Sequence, residues 1–431
     1  MLTYQDYERA ADKLDFLRRL RQQHEGSEAL ELARIATCYD RQQNVTICEF
    51  VRRLYTLSGR AVQDYTASNH RIASNFFSRL VTQRAAYSLG NGISFARSGI
   101  KEQLGEDVDE RLFAAGRLAI AHGAAYLFWN VDRLHVFPMT EFAPLYDEGS
   151  GALRAGLRYW RIAQGRPIQA CFYEEAGMTR LVDSGEGFCA LGAREAYRPG
   201  EAGRGALPIV PLYGSRYRQS AIVGMRQAID SFDLIRSGFA DDLADCAEIY
   251  WLLENVGGMS DAELARFRDR LKFTHIAQAD TGGEGRVTPY VQQVPYETRM
   301  AYLDHIRSGI YEDFGALDVS RLASGKRTAT EIRAAYQPLD EQADDFEYQV
   351  IGAVRALTRL FGKEATPIFA RNRIADQAEQ VKLVMAEQAV LDRETILRKL
   401  PNISVDEVSA ILARPSLQET ARERAEREEE A

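Results

Sequence analysis

The sequence predicts an α+β fold, mainly helical, and three observations carry that prediction. Apolar residues recur at three-four spacing through most of the first third of the chain. Short β-type runs, punctuated by Gly, Pro, Asp and Glu, fill residues 124–197. Beyond them, two long amphipathic stretches flank a small hairpin signal, and a third, interrupted by a proline, follows.

Taken in order, helices are expected over 2–23, 28–39, 46–57 and 69–89, the last stopped by Leu89-Gly90-Asn91-Gly92, and over 108–122. AAYLFW, LHVF, FAPLY, ALRAGLRYW, PIQACFYE and MTRLVD then read as an antiparallel meander. A Gly-rich loop at 200–205 and LPIVPLY close this α/β region. From 219 to 255 there is no proline, and Ile222, Met225, Ile229, Phe232, Phe239, Leu243, Cys246, Tyr250 and Leu253 form one stripe. A continuous helix there would span about 55 Å, with Gly238 as its weak point and Asn255-Val256-Gly257-Gly258 as its end.

Ser260-Asp261-Ala262-Glu263 is a capping box for a short helix. LKFTHIAQA and RVTPYVQQV, joined by DTGGEG, predict a hairpin in which Pro289 marks an edge. Pro295 is placed to open a helix reaching Phe314, with Gly315 beyond it. ALDVSRLASGKR reads as a loop of mixed apolar and basic character. A second capping box, Thr328 to Glu331, opens a helix to Phe361, in which Pro338 predicts a kink. A third, Ser404 to Glu407, opens a C-terminal helix, and the charged stretch 419–431 reads as a solvated or frayed helix.

The 431 residues allow two or three domains. The first 21 residues are charged throughout and do not read as a signal peptide. The most apolar stretch, 112–129, is interrupted by Gly116, Arg117, His122 and Gly123 and reads as a buried helix running into a strand, so the expectation is an intracellular, soluble chain. Cys38, Cys48, Cys171, Cys189 and Cys246 form no CxxC pair and read as reduced, mostly buried thiols. The six histidines show no HxxH or HxxxH spacing, so no local metal site is expected. The net charge of −8 argues against tight nucleic-acid binding but not against DNA that must slide past.

No catalytic constellation emerges. SGKRT at 324–328 fails the phosphate-loop pattern, because Ser320 stands where its first glycine belongs and Arg327 follows Lys326. Gly200, Gly203 and Gly205 lack the strand-to-helix unit of a dinucleotide site. Asp241-Asp242 and Asp344-Asp345 point about 100° apart within each pair, which suits a solvated helix face better than a magnesium site. His122 and His135 read as core histidines, and Phe76, Phe77 and Tyr87 as core rather than a base-stacking platform.

The order of segments resembles the portal proteins of tailed bacteriophages, in the siphophage-type portal family. RIASNFFSRLVTQRAAYSLGNGISF is similar to that family's early helix and its glycine-rich stop. AIAHGAAYLFWNVD with LHVFPMTEFAPLYD, and LPIVPLYGS with AIDSFDLIRSGFADDLADCAEIYWLLE, are similar to its wing and the start of its stem. YEDFGALDVSRLASGKRTATEIRAAYQPLDEQADDFE resembles the tunnel-loop region, and LDRETILRKLPNISVDEVSAILA the crown, with Asp392 where serine is usual.

The resemblance implies a portal fold: an N-terminal helical segment 1–44, an α/β wing over 45–218, a two-helix stem at 219–256 and 295–314, and a small α/β clip at 257–294. A tunnel loop at 315–327, a long kinked helix completing the wing over 328–374 and a helical crown with its tail at 375–431 follow. It implies a dodecameric ring at one capsid vertex, passing double-stranded DNA non-specifically. It also implies a terminase large subunit and later a head-tail adaptor as partners, contact with major capsid and scaffolding proteins, no cofactor, no catalysis and no membrane. Such a protein resides in the virion, and in the host cytoplasm during assembly.

Two residue-level expectations follow. Asp230, Asp233, Asp241, Asp242 and Asp245 on the first stem helix would line or flank a channel and repel phosphate. Arg321, Lys326 and Arg327 in the tunnel loop would touch the DNA backbone weakly. Pro338 would be either a hinge for that loop or a static kink. The alternatives are another virion ring such as a head-tail connector, and a nucleic-acid-processing hydrolase.

Overall fold

The computed structural model describes residues 2–55, 59–65, 68–130, 133–185, 187–197, 206–245, 250–254, 286–290, 295–323, 329–373, 391–400 and 405–413, with 260, 262–263, 265–266, 384–386 and 403. Two short helices replace the single one expected over 2–23. α1 (Tyr4–Arg9) carries a capping box between Thr3 and Asp6, and α2 (Lys13–Glu25) starts afresh at Asp12, whose carboxylate takes the Leu14 and Asp15 N–H groups. Ser27 caps α3 (Glu28–Asp40).

The helix expected over 46–57 is one turn long, α4 (Val45–Cys48). It gives way to β1 (Arg53–Tyr55), paired antiparallel with β2 (Ala61–Gln63). α5 (Phe76–Leu89) begins later than the periodicity suggests, because the backbone before it is bonded to a distant helix. β3 (Ile93–Phe95), α6 (Ile100–Leu104), α7 (Val108–His122) and β4 (Ala124–Trp129) follow. Gly123 turns the corner from α7 to β4 with φ 95°, and a Cβ there would lie 2.8 Å from the Gln219 backbone, so only glycine fits.

Each of the six predicted β runs is a strand, but they divide between two sheets instead of forming one meander, and a further short strand follows them. β5 (Leu134–Pro138) pairs with β4; β6 (Phe142–Tyr146), β7 (Leu153–Arg161), β8 (Ile168–Glu174), β9 (Gly177–Asp183) and β10 (Phe188–Ala190) form a five-stranded antiparallel meander. β11 (Ile209–Tyr213) returns to the other edge of β4, giving the order β11-β4-β5. The Gly-rich loop at 200–205 lies outside the described residues.

The first long helix, α8 (Arg226–Asp245), is shorter than the 219–255 expected and passes through Gly238 without interruption. Tyr250–Glu254 is not its continuation but strand β12, paired antiparallel with β13 (Arg286–Tyr290), Trp251 standing opposite Pro289. RVTPY is therefore in a ladder, with YWLLE as its partner; LKFTHIAQA lies outside the described residues. The capping box at Ser260 forms, with its N–H and hydroxyl on Glu263 Oε2 at 2.8 and 2.9 Å. α9 (Tyr296–Phe314) runs between Pro295 and Gly315 as expected. The following loop is not wholly irregular, since it holds the short helix α10 (Val319–Ala323).

α11 (Ala329–Arg359) contains Pro338, and β14 (Pro367–Phe369) pairs with β3. α12 (Arg393–Lys399) is capped by Asp392, and α13 (Val405–Leu412) follows; Ser404 and residues 414–431 lie outside the description.

One core joins α5, α7, the β11-β4-β5 sheet and α11 through Phe77, Leu80, Leu112, Leu127, Leu212 and Phe346, confirming Phe76, Phe77 and Tyr87 as buried. A second fixes α2 on the meander: Phe16, Leu17 and Leu20 pack on Leu145, Leu157 and Phe172. Each such side chain contributes about 1.5–3 kcal/mol through burial. Of the four described cysteines only Cys171 is buried; Cys48 and Cys189 are exposed, which corrects the expectation of mostly buried thiols. No described helix is long and apolar enough to cross a membrane.

Candidate functional site

The two long helices α8 and α9 and the elements packed on them hold most of the candidate residues. α8 and α9 lie side by side: Arg299 pairs with Asp242, and Phe239 meets Tyr296 at 5.8 Å. Near their other end Phe76 packs edge-on against both Phe232 and Tyr311.

The opposite side of α8 carries Asp230, Asp233, Ser237 and Asp241, one helical stripe. Tyr39 and Thr46 donate to Asp230, the latter at 2.7 Å. Asp233 is fully buried and receives the Asn44 amide and the Ser74 N–H, the latter at 2.9 Å. Ser237 takes the Ile72 N–H at 3.0 Å; Asp241 takes the His70 N–H at 2.6 Å and the ring Nδ1 at 2.7 Å. Burial raises the Asp233 pKa, opposed by its hydrogen bonds to Asn44 and Ser74.

This stripe therefore binds segment 39–74 of its own chain. Asp241 is buried, which corrects the expectation of a solvated face there. Asp242 is engaged by Arg299, and Asp245 is the last residue of α8.

The base of the predicted tunnel loop is fixed by α5. Gln83 Nε2 donates to Leu317 O and Leu317 N–H donates to Gln83 Oε1, both at 2.9 Å. Arg84 donates to Phe314 O at 2.7 Å and lies over the Phe314 ring; burial lowers its pKa to about 10. Gly315 adopts φ 65°, where a Cβ would meet Gln342 and the Pro338 carbonyl, so the turn into the loop needs glycine.

Asp318 takes the Ser320 N–H and hydroxyl and both of its oxygens meet Arg307; burial would raise its pKa, but these partners outweigh it and hold it low. Arg321, on α10, donates to Ser308 Oγ. Lys326 and Arg327 lie outside the described residues. Gln83→Ala is expected to cost about 1–3 kcal/mol, since it strands both Leu317 groups. Hydrogen exchange at the Leu317 amide reads this, and unchanged protection would refute it.

Pro338 sits at a boundary along α11. C-terminal to it, Arg371 reaches Asp340 and Glu347, each at 2.9 Å, and also Asp344; its guanidinium is held charged chiefly by Glu347. Arg373 pairs with Asp340 at 2.7 Å and donates to the Tyr87 hydroxyl at 2.9 Å. Tyr87 in turn donates to Asp340 at 2.6 Å. N-terminal to it, α11 is held by packing: Tyr336 stacks on Tyr87, and Ile332 and Ala335 join Leu317 and Leu322.

Pattern reasoning missed Asn44, His70, Gln83, Arg84, Arg371 and Arg373. The one signal was that Arg371-Asn372-Arg373 follows three acids on one helix face, at 340, 344 and 347. Among the described residues no group of three or more His, Cys, Asp or Glu side chains is arranged to hold a metal.

The chain matches the family described as phage portal protein, SPP1 Gp6-like, over residues 38–431. It is 23% identical over 370 residues to a protein named Portal protein of Clostridium phage phiCD119, covering 78% of this chain and 82% of that one. It is 22% identical over 396 residues to the Portal protein of Bacillus phage SPP1, covering 81% of this chain and 76% of that one. Among solved structures, one described as the neck of an empty GTA particle computed with C6 symmetry aligns at TM-score 0.44 and 13% identity, covering 77% of this chain and 90% of that chain.

Proposed function

The chain belongs to the SPP1 Gp6-like family of phage portal proteins, and on that premise we propose that it is one subunit of a dodecameric ring through which the genome enters and leaves the capsid at one vertex. Phage portal proteins are virion components at the capsid vertex; the role is structural rather than catalytic. In this reading α8 and α9 are the stem. The β12–β13 module between them in sequence belongs to the clip, where terminase docks first and a head-tail adaptor later. Residues 315–327 form the tunnel loop. The observation that carries the reading is the helix–small sheet–helix order ending in a loop anchored at Leu317. Imaging of the purified protein tests it: rings with an axial opening are expected, and a persistent compact monomer would end the proposal.

Within that ring Arg321, Lys326 and Arg327 are the candidate DNA contacts, made through charge and without base preference. Replacing all three with alanine is expected to leave rings intact while packaged DNA per capsid falls. Packaging at the wild-type level would remove them from the mechanism. Pro338 is the candidate hinge: it has no N–H to complete the helix ladder, and the ion-pair clamp of Arg371 and Arg373 begins just beyond it. Movement of the loop would then bend α11 before Pro338 and spare the clamped part.

A further inference from the structure

The layering around α8 bears on how two copies meet. Segment 44–74 leaves the core and returns to it at one place. Gln42 Nε2 donates to Ala73 O at 2.9 Å, Asn44 Nδ2 donates to Ser74 O at 3.0 Å, and Asp233 gathers Asn44 and Ser74 together. Between these pinned ends stands the β1–β2 hairpin, with Tyr55 74%, Val62 45% and Tyr65 83% exposed. Tyr55 pairs in register with Ala61, so Tyr55 and Val62 leave opposite faces. A lone two-stranded hairpin is marginal in water, and this one has apolar side chains on both faces and no third strand among the described residues. The segment is also basic, with Arg52, Arg53, Arg60 and Arg71 against Glu49 and Asp64, in a chain of net charge −8.

α8 separates this strap from α9. Asp233 and Asp242 are nine residues apart, about 180° around the helix; the first binds the strap and the second binds Arg299 of α9. The order is therefore strap, α8, α9. The side of α9 turned away from α8 carries exposed Glu297, Asp304 and Glu312, with the Arg321 guanidinium on Ser308 between the last two, while Arg299 and Arg307 are engaged by Asp242 and Asp318. One end of the sandwich is a basic, apolar arm and the other an acidic helix face.

We propose that the strap and hairpin of one copy pack on the outer face of α9 in the next copy, a head-to-tail contact between opposite ends of the same sandwich. Such a heterologous contact closes into a ring when its rotation divides the circle. The inference rests on the ring reading above and names the surfaces that join. A second copy is favoured over nucleic acid because Tyr55 and Val62 offer apolar surface on two faces, which suits burial between protein layers.

The test substitutes Tyr55→p-benzoylphenylalanine in the full chain and irradiates the purified rings, assembled from mixed isotope-labelled and unlabelled copies. The expected result is a cross-link between labelled and unlabelled chains that maps to residues 296–312. Rings that form but cross-link only within one chain, to another surface, or to added duplex DNA would overturn the contact and leave the ring reading standing. Failure of the unsubstituted protein to form rings would overturn both. In a second arm, Glu297→Lys, Asp304→Lys and Glu312→Lys together are expected to lower ring assembly about tenfold at physiological salt. The monomer should keep its circular dichroism, and Arg53→Glu with Arg60→Glu should restore part of the loss. Undiminished assembly of the triple variant would also overturn the contact.

Discussion

Asp233→Ala is expected to destabilise the protein by about 3–5 kcal/mol and to free segment 44–74 from α8. The carboxylate is fully buried and is the only group described between the two ends of that segment that accepts from both Asn44 and Ser74. Alanine leaves the Ser74 N–H and one Asn44 amide proton without that acceptor, at about 1–3 kcal/mol for each stranded group, and opens a small void. Asp233→Asn retains the volume and one acceptor oxygen, so it should cost about half as much. The pKa sign also matters. Burial raises the Asp233 pKa in the folded state, so the native protein binds the extra proton, and this group's contribution falls as pH rises through its folded pKa. Mild acid should therefore not release the strap through Asp233. Urea unfolding, with limited proteolysis between residues 50 and 68, reads the effect; a wild-type midpoint and digestion pattern for Asp233→Ala would contradict it.

How far the sequence reveals this depends on how local the determining interactions are. α7 into β4, the meander β6 to β9, and α9 between Pro295 and Gly315 are set by neighbours within a few residues, and they stand where the residue pattern puts them. YWLLE fails for a physical reason: four consecutive apolar residues, Tyr250 to Leu253, have no period, so a preceding helix appears to continue through them, while the deciding partner, RVTPY, is more than thirty residues away. The residues before Phe76 fail similarly. Their backbone donors go to Asp233, Ser237 and Asp241, which no local window contains.

The carboxylate stripe of the candidate site is legible in the sequence, and its partners are not. Asp230, Asp233 and Asp241 share one face of α8, and a stripe of carboxylates ordinarily signals solvent. Here the donors that neutralise their cost of burial come from Tyr39, Asn44, Thr46, His70 and Ser74, scattered over an earlier stretch, and all but Asn44 stand in segments whose periodicity predicts helix. Pro338 was visible as a break in pattern. The clamp that gives it meaning was not, because Arg371 and Arg373 reach α11 only after the chain has left it and paired β14 with β3.

Lowering pH from 7 to 5 is expected to remove about 4 kcal/mol of stability, shared by two histidines in separate cores. His24 is buried against Tyr159, its Nδ1 2.7 Å from the hydroxyl, and His122 lies beneath α3 with Nε2 3.0 Å from Thr37 Oγ1. Burial pushes both pKa values down to about 4; Arg34 adds to the effect at His24, and Asp40 opposes it at His122. Both also occupy the last turn of a helix, where the dipole favours a positive charge by about 0.3–1 kcal/mol, less than the cost of burying it. A folded pKa below the unfolded value of about 6.5 means that the unfolded chain takes up protons first. The stabilisation is therefore complete above pH 6.5 and is lost as pH falls toward 4. Asp318 and Asp340, whose pKa values are held low by their partners, lose their contributions only in the acid range below, so the window from 7 to 5 belongs to the imidazoles. The first consequence should be loosening of α2 from the meander, since His24 and Tyr159 lie at that contact beside Leu20. His24→Gln with His122→Gln, compared with wild type by urea unfolding at both pH values, should show less than half of the wild-type pH dependence; an equal slope would place the acid sensitivity elsewhere.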